Sequence, residues 1–218
     1  MRAFGIEIRD FPASVAAAAI AIAAGAALFP LLAGIEGLAD KLLYIPPLWS
    51  DALVASRALR IAGLALPVFI EEAAKFLLVL AFVGTVKPRA RAASLAIVAI
   101  VIFSAVENAA YAAAFPGGAI LGRLLWSSPV HLISALAYAI ALGRPGRAPI
   151  RFRFSTALAF AGAFTWHLVA NLVASRNPGS LEGLVMATVS IAFFLALSRA
   201  FFGTLLIGGL DHAQRNES

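Results

Sequence analysis

The chain has no cysteine at any of its 218 positions, so disulfides, thiolate nucleophiles and thiolate metal sites are all excluded. Charge is scarce as well. Asp, Glu, Lys and Arg make up 13% of the residues, about half the roughly 25% of a soluble domain. The zinc-peptidase helix motif His-Glu-x-x-His is missing, as is any low-complexity tract or any polar stretch long enough for a separate soluble domain. What is present is 62% hydrophobic with a mean hydropathy of +0.94, the composition of a polytopic membrane protein. The net charge of +6 lies largely in short basic loops between apolar runs, where it meets anionic lipid headgroups rather than nucleic acid.

Six apolar runs follow one another, over about 13–32, 59–86, 92–115, 119–142, 154–174 and 181–207. Each is close to or above the roughly 20 residues that a helix needs to cross a bilayer. They predict an all-α fold in which residues 1–218 form one domain, a bundle of six transmembrane helices. The first run exceeds the roughly 7 to 15 residues of a signal-peptide core, so it reads as a retained helix. Residues 34–57, with Tyr44, Pro46, Pro47 and Trp49, read as a connector or a short segment lying in the membrane interface. Counting Lys and Arg in the loops gives ten on the side of both termini and five on the other, which predicts a multi-pass protein with both ends in the cytoplasm. The preference for Arg over Lys points to a prokaryotic cytoplasmic membrane. Glu71-Glu72-Ala73-Ala74-Lys75 is echoed by Glu107-Asn108-Ala109-Ala110-Tyr111, and His131-Leu132 by His167-Leu168. These echoes join neighbouring helices rather than two halves of the chain, so they reflect shared helical spacing and not an inverted repeat.

The second run is the unusual one, because Glu71, Glu72 and Lys75 fall inside it. Each charge at the centre of a span costs roughly 2.5 to 3.5 kcal/mol on insertion scales, so the three cost on the order of 8 to 10 kcal/mol, about what the surrounding apolar residues contribute. Such a helix is marginal alone, and its ionisable groups mark a functional site by default. The later runs each add a polar stripe at helical spacing: Glu107, Asn108 and Tyr111, then Ser127, Ser128, His131 and Ser134, then His167 and Asn171. Glu71 and His131 fall near the midplane and Glu107 and His167 somewhat toward the non-cytoplasmic side, so the four stripes can meet and a cut nearer the non-cytoplasmic face is expected. Peptide hydrolysis needs a base for water, donors for the oxyanion and an acid for the leaving amine, and this set can supply them. Simpler roles exist for some members. Lys75 suits a counter-ion, Asn108 and Tyr111 suit inter-helix hydrogen bonds, and His167 or Asn171 alone could tie helices together. Two adjacent buried carboxylates have little value as ties.

The order Glu-Glu-x-x-Lys, Glu-Asn-x-x-Tyr, a lone His and His-x-x-x-Asn, each on its own helix, resembles the PrsW family of intramembrane proteases. That family is similar to the CAAX prenyl endopeptidases and bacterial abortive-infection membrane proteases. The resemblance covers about residues 71–171. It departs from the CAAX branch, whose Glu-Glu-x-x-x-Arg and Phe-x-x-x-His find Phe76 and Ser127 here. The resemblance implies an intramembrane endopeptidase in which Glu71 activates water with His131, while His167 and Asn171 stabilise the oxyanion. Glu72 and Glu107 would then carry or orient protons, and Lys75 would hold the carboxylates. It also implies a membrane-anchored protein substrate such as an anti-sigma factor. A metal-free glutamate mechanism needs no cofactor. Glu71, His131 and His167 could alternatively form a three-ligand zinc site with an open water position. The competing function is a proton- or ion-coupled transporter using Glu71, Glu72 and Glu107 as a relay, and a third is a non-catalytic assembly subunit.

Overall fold

The structure, a computed structural model, describes residues 11–43, 57–86, 89–114, 119–143, 154–174 and 185–200. Apart from the bend at Val86, all of these residues are helical. They form α1 (Phe11–Leu43), α2 (Arg57–Thr85), α3 (Arg89–Ala114), α4 (Ala119–Gly143), α5 (Phe154–Ala174) and α6 (Val185–Ala200). Within them, Val15–Leu38, Arg91–Ala114 and Phe154–Val173 are long and apolar enough to cross a membrane. With 29 residues α2 has the length too, but Glu71, Glu72 and Lys75 occupy its middle, so charge alone keeps it out of that set. Shorter apolar stretches, Ser127–Leu142 and Val185–Ala200, lie in α4 and α6.

The first helix differs from expectation. Its predicted end near residue 32 is passed, and α1 continues to Leu43. Residues 34–43 are mostly Ala, Leu, Glu and Lys, which are strong helix formers, while Gly34 and Gly37 cost only about 1 kcal/mol each relative to Ala. α1 accommodates Pro30, and with no further proline before Pro46 nothing stops the helix at the end of the apolar run. The rest of the predicted interfacial segment, residues 44–56, lies outside the described residues, as do residues 201–207.

Two helices organise the bundle. The inner apolar one is α3, with half of its span buried against 22% for α1 and α5; it packs on α1, α2 and α4. The inner charged one is α2, which touches α1, α3, α4 and α5. Where α1 meets α3 the backbones are in contact, and a Cβ at Gly25 would collide with the carbonyl oxygen of Ala99. Small residues allow that approach, as between membrane helices generally. Ala21, Ala92, Ala96 and Ala99 are wholly buried around it. On the α2/α4/α5 side, Phe76 meets Tyr138 and Phe160 edge-on at 5.5 and 5.8 Å, and Tyr138 stacks on Phe160 at 6.4 Å. α6 lies outside this core, with Phe194 and Leu197 against Ala93, Leu136 and Ala139. Large apolar side chains of α1, including Ile20, Leu31 and Leu38, face outward, as lipid-facing positions would.

Candidate active site

Four helices each bring one polar stripe to a single point beside the middle of α2. Its centre is Lys75, wholly buried. A buried charge costs several kcal/mol unless its hydrogen-bonding capacity is met, and an ammonium has three N–H donors. Here Nζ is hydrogen-bonded to Glu72 Oε1 at 2.8 Å and His131 Nδ1 at 2.7 Å, and it forms an ion pair with Glu71 Oε1 at 2.6 Å. The Phe103 ring lies 5.5 Å from Nζ, within cation–π range, and meets the His131 ring edge-on at 5.3 Å.

The partners assign the imidazole tautomers. Because His131 Nδ1 accepts from Lys75, its proton sits on Nε2, which faces Glu107 Oε2 at 2.7 Å and Ser127 Oγ at 2.8 Å. Glu71 Oε1 is also 3.1 Å from Nδ1. His167 is the reverse. Its Nδ1 donates to Glu72 Oε1 at 2.8 Å, which leaves the Nε2 lone pair turned toward Glu71 Oε2, 3.9 Å away. The two imidazole rings meet edge-on at 5.3 Å.

The two neighbouring glutamates are treated differently. Glu72 is wholly buried: Oε1 accepts from Lys75 and His167, and Oε2 accepts from the Tyr138 hydroxyl at 2.7 Å. Glu71 is anchored through Oε1 alone, and its side chain keeps 12% exposure. Glu107 keeps 11%. The accessible edge of the cluster therefore consists of Glu71 and Glu107.

Of the residues expected from the sequence, Glu71, Glu72, Lys75, Glu107, His131 and His167 come together. Asn108 sits beside them, donating to Ser128 Oγ at 3.0 Å and so tying α3 to α4. Asn171 is half-buried one turn beyond His167, and among the described residues no hydrogen bond joins it to the carboxylates. Tyr111, one turn beyond Glu107, is 38% exposed and stands at the rim. One participant was not foreseen. Tyr138 lies seven residues after His131, two turns along the same face of α4, and that spacing is the signal that would have found it.

Glu71, His131 and His167 offer ligand atoms within 4.8 Å of one another, a set that could hold a metal ion. Lys75 opposes this. Its ammonium already bonds Glu71 Oε1 and His131 Nδ1, and the other nitrogen of His131 is engaged by Glu107. A dication held about 4 Å from that ammonium would be repelled by on the order of 8 kcal/mol at an effective dielectric near 20. With Lys75 charged and in place, the residues do not fit a metal. Set against protein-family models, curated proteins and solved structures, the chain matches none.

Proposed function

We propose that this chain is a six-span intramembrane endopeptidase that hydrolyses a peptide bond of a membrane-anchored protein with a glutamate-activated water. One observation carries the reading: Glu71 is tied through one oxygen to Lys75 and His131, while its other oxygen faces the His167 Nε2 lone pair across 3.9 Å at the accessible edge of the cluster. A water between these two acceptors directs both of its O–H bonds inward and its own lone pair outward, the orientation a nucleophile needs. Glu71 takes one proton as the oxygen adds to the scissile carbonyl carbon. The C–N bond then breaks as Glu71 returns that proton to the leaving amine. Asn171, half-buried one turn from His167 on α5, would donate its side-chain amide to the oxyanion.

These roles refine those that the PrsW resemblance implies. His131, with both nitrogens engaged, supports a role in orienting Glu71. His167, held by Glu72 as an acid holds the imidazole in a Ser-His-Asp triad, supports a role in holding the water through its Nε2 lone pair. Glu72 and Tyr138 position His167 without touching substrate.

The surroundings favour a dead-end site over a transport path. Beyond Lys75 toward the 87–88 end, Val79, Val83, Ala96, Ala135 and Ile100 are wholly buried or nearly so. Toward the other end lie half-buried Ser127, Ser128 and Asn171 and exposed Tyr111. With both termini in the cytoplasm, that polar end is non-cytoplasmic, so the cut falls toward the non-cytoplasmic face. The substrate is a single-span protein presenting an extended segment there, the class to which a membrane-bound regulator such as an anti-sigma factor belongs.

The test uses purified protein with a panel of single-span substrates, comparing wild type with Glu71→Gln and His167→Ala. Cleavage by wild type alone, with product ends mapped by mass spectrometry to the non-cytoplasmic half, is the expected result. Cleavage that persists in both variants would remove the catalytic assignment. Proton flux in liposomes lost in Glu71→Gln, with no substrate cut, would assign the cluster to transport instead.

A further inference from the structure

We infer that the Lys75 ammonium takes the place of a divalent metal: it fills the cation position of a two-histidine, one-glutamate site, and the set of Glu71, His131 and His167 binds zinc only when that ammonium is gone. The inference concerns cation occupancy and stands apart from whether the site cuts peptides.

Three features support it. First, the ligand set is present, on three different helices and with its donor atoms inside 4.8 Å. Two histidines and a glutamate around an open position is a donor set that holds catalytic zinc. Second, Lys75 reaches into that set from the buried side. Nζ contacts Glu71 Oε1 and His131 Nδ1 at 2.6 and 2.7 Å, and it donates to Glu72 Oε1 at 2.8 Å. Three acceptors drawn from two helices around one positive centre make a coordination-like arrangement with the proton in place of the metal–ligand bond. Third, the surrounding groups already have the partners that orient metal ligands. Glu107 faces the far nitrogen of His131 and Glu72 that of His167, the carboxylate–histidine pairing found behind zinc-bound imidazoles. The site thus carries the first and outer layers of a zinc centre, with an internal cation at its middle.

The arrangement has a chemical consequence. A metal would bind and polarise water directly, whereas a buried ammonium enclosed by Glu71, Glu72 and His131 does neither. Its effect on the reaction passes through the orientation of Glu71 and His131, so Lys75 is a positioning residue.

The experiment measures bound zinc per chain and thermal unfolding with and without added zinc, in purified full-length wild type, Lys75→Met, and Lys75→Met combined with Glu72→Gln. The double variant removes one buried charge of each sign, so it keeps the interior balanced if the single variant does not fold. Wild type is expected to stay essentially zinc-free with an unchanged unfolding temperature. Folded Lys75→Met or the double variant is expected to take up one zinc ion per chain, unfold at higher temperature with zinc, and lose that uptake when His167→Ala is added. Stoichiometric zinc in wild type that is lost on His167→Ala would overturn the inference. So would a folded Lys75-free variant that binds no zinc. If neither variant folds, the wild-type measurement decides alone, a zinc-free protein supporting the inference.

Discussion

The two ends of the bundle, on either side of Lys75, are built on opposite terms. Toward the 87–88 end the interior is closed: Val79, Val83, Ala135 and Tyr138 are wholly buried, and the Tyr138 hydroxyl is committed to Glu72. Toward the 115–118 end, Glu71 and Glu107 keep an exposed edge and the neighbouring Ser127, Ser128 and Asn171 are half-buried. Glu71 and Glu72 are adjacent in sequence, about 100° apart on the helix, and fall on different sides of this divide. Glu72 is enclosed wholly by protein groups, whereas Glu71 still has an outward-facing edge.

Four substitutions break or sharpen the contrast. Glu71→Gln acts at the outward face and should lower cleavage by about 10² to 10⁴-fold, the usual worth of a general base, with a smaller fall in unfolding temperature than at Glu72, because Gln keeps an oxygen beside Lys75. Glu72→Ala acts one residue away and should fall mainly on stability, costing about 3 to 5 kcal/mol by leaving His167 without its carboxylate and Lys75 with only that of Glu71, read as a lower unfolding midpoint in detergent. Tyr138→Phe removes one hydrogen bond to a charged acceptor and should cost about 1.5 to 3 kcal/mol; its cleavage rate should fall too, since the carboxylate behind His167 loosens, and an unchanged rate would free Tyr138 of any positioning role. Gly25→Ala, away from both ends, should cost about 1 to 3 kcal/mol through the clash with the Ala99 carbonyl, with no change in rate per folded molecule. A fifth measurement perturbs least. Because the chain has no cysteine of its own, Asn171→Cys and Ala135→Cys are each the sole thiol in their variant. A membrane-impermeant thiol reagent should label the first and leave the second unreacted.

The all-helical fold was legible because hydrophobic runs of span length leave few alternatives, and the starts of α4 and α5 at Ala119 and Phe154 fall where the runs begin. The end of α1 was not, since hydropathy marks where apolar sequence stops whereas a helix stops where propensity or proline ends it, as Gly34 to Leu43 shows. In the site, spacing brought out Glu71, Lys75, Glu107, His131 and His167, because charged and imidazole groups stand out against apolar sequence. Tyr138 did not stand out: tyrosine is ordinary in a span, and only its pairing with Glu72 across 66 positions gives it meaning. The difference in burial and partners between Glu71 and Glu72 was equally out of reach of spacing, since adjacent identical residues differ only in what the other helices place against them.

The alternation of helices able to cross a membrane unaided, α1, α3 and α5, with a charged α2 between the first two bears on how the protein is made. On the six-span reading, α2 leaves the ribosome before the groups that neutralise it, since His131, Tyr138 and His167 are synthesised 56 to 95 residues later than their partners on α2. On that reading the helix, marginal alone, gains its full complement of partners only once α4 and α5 have been made.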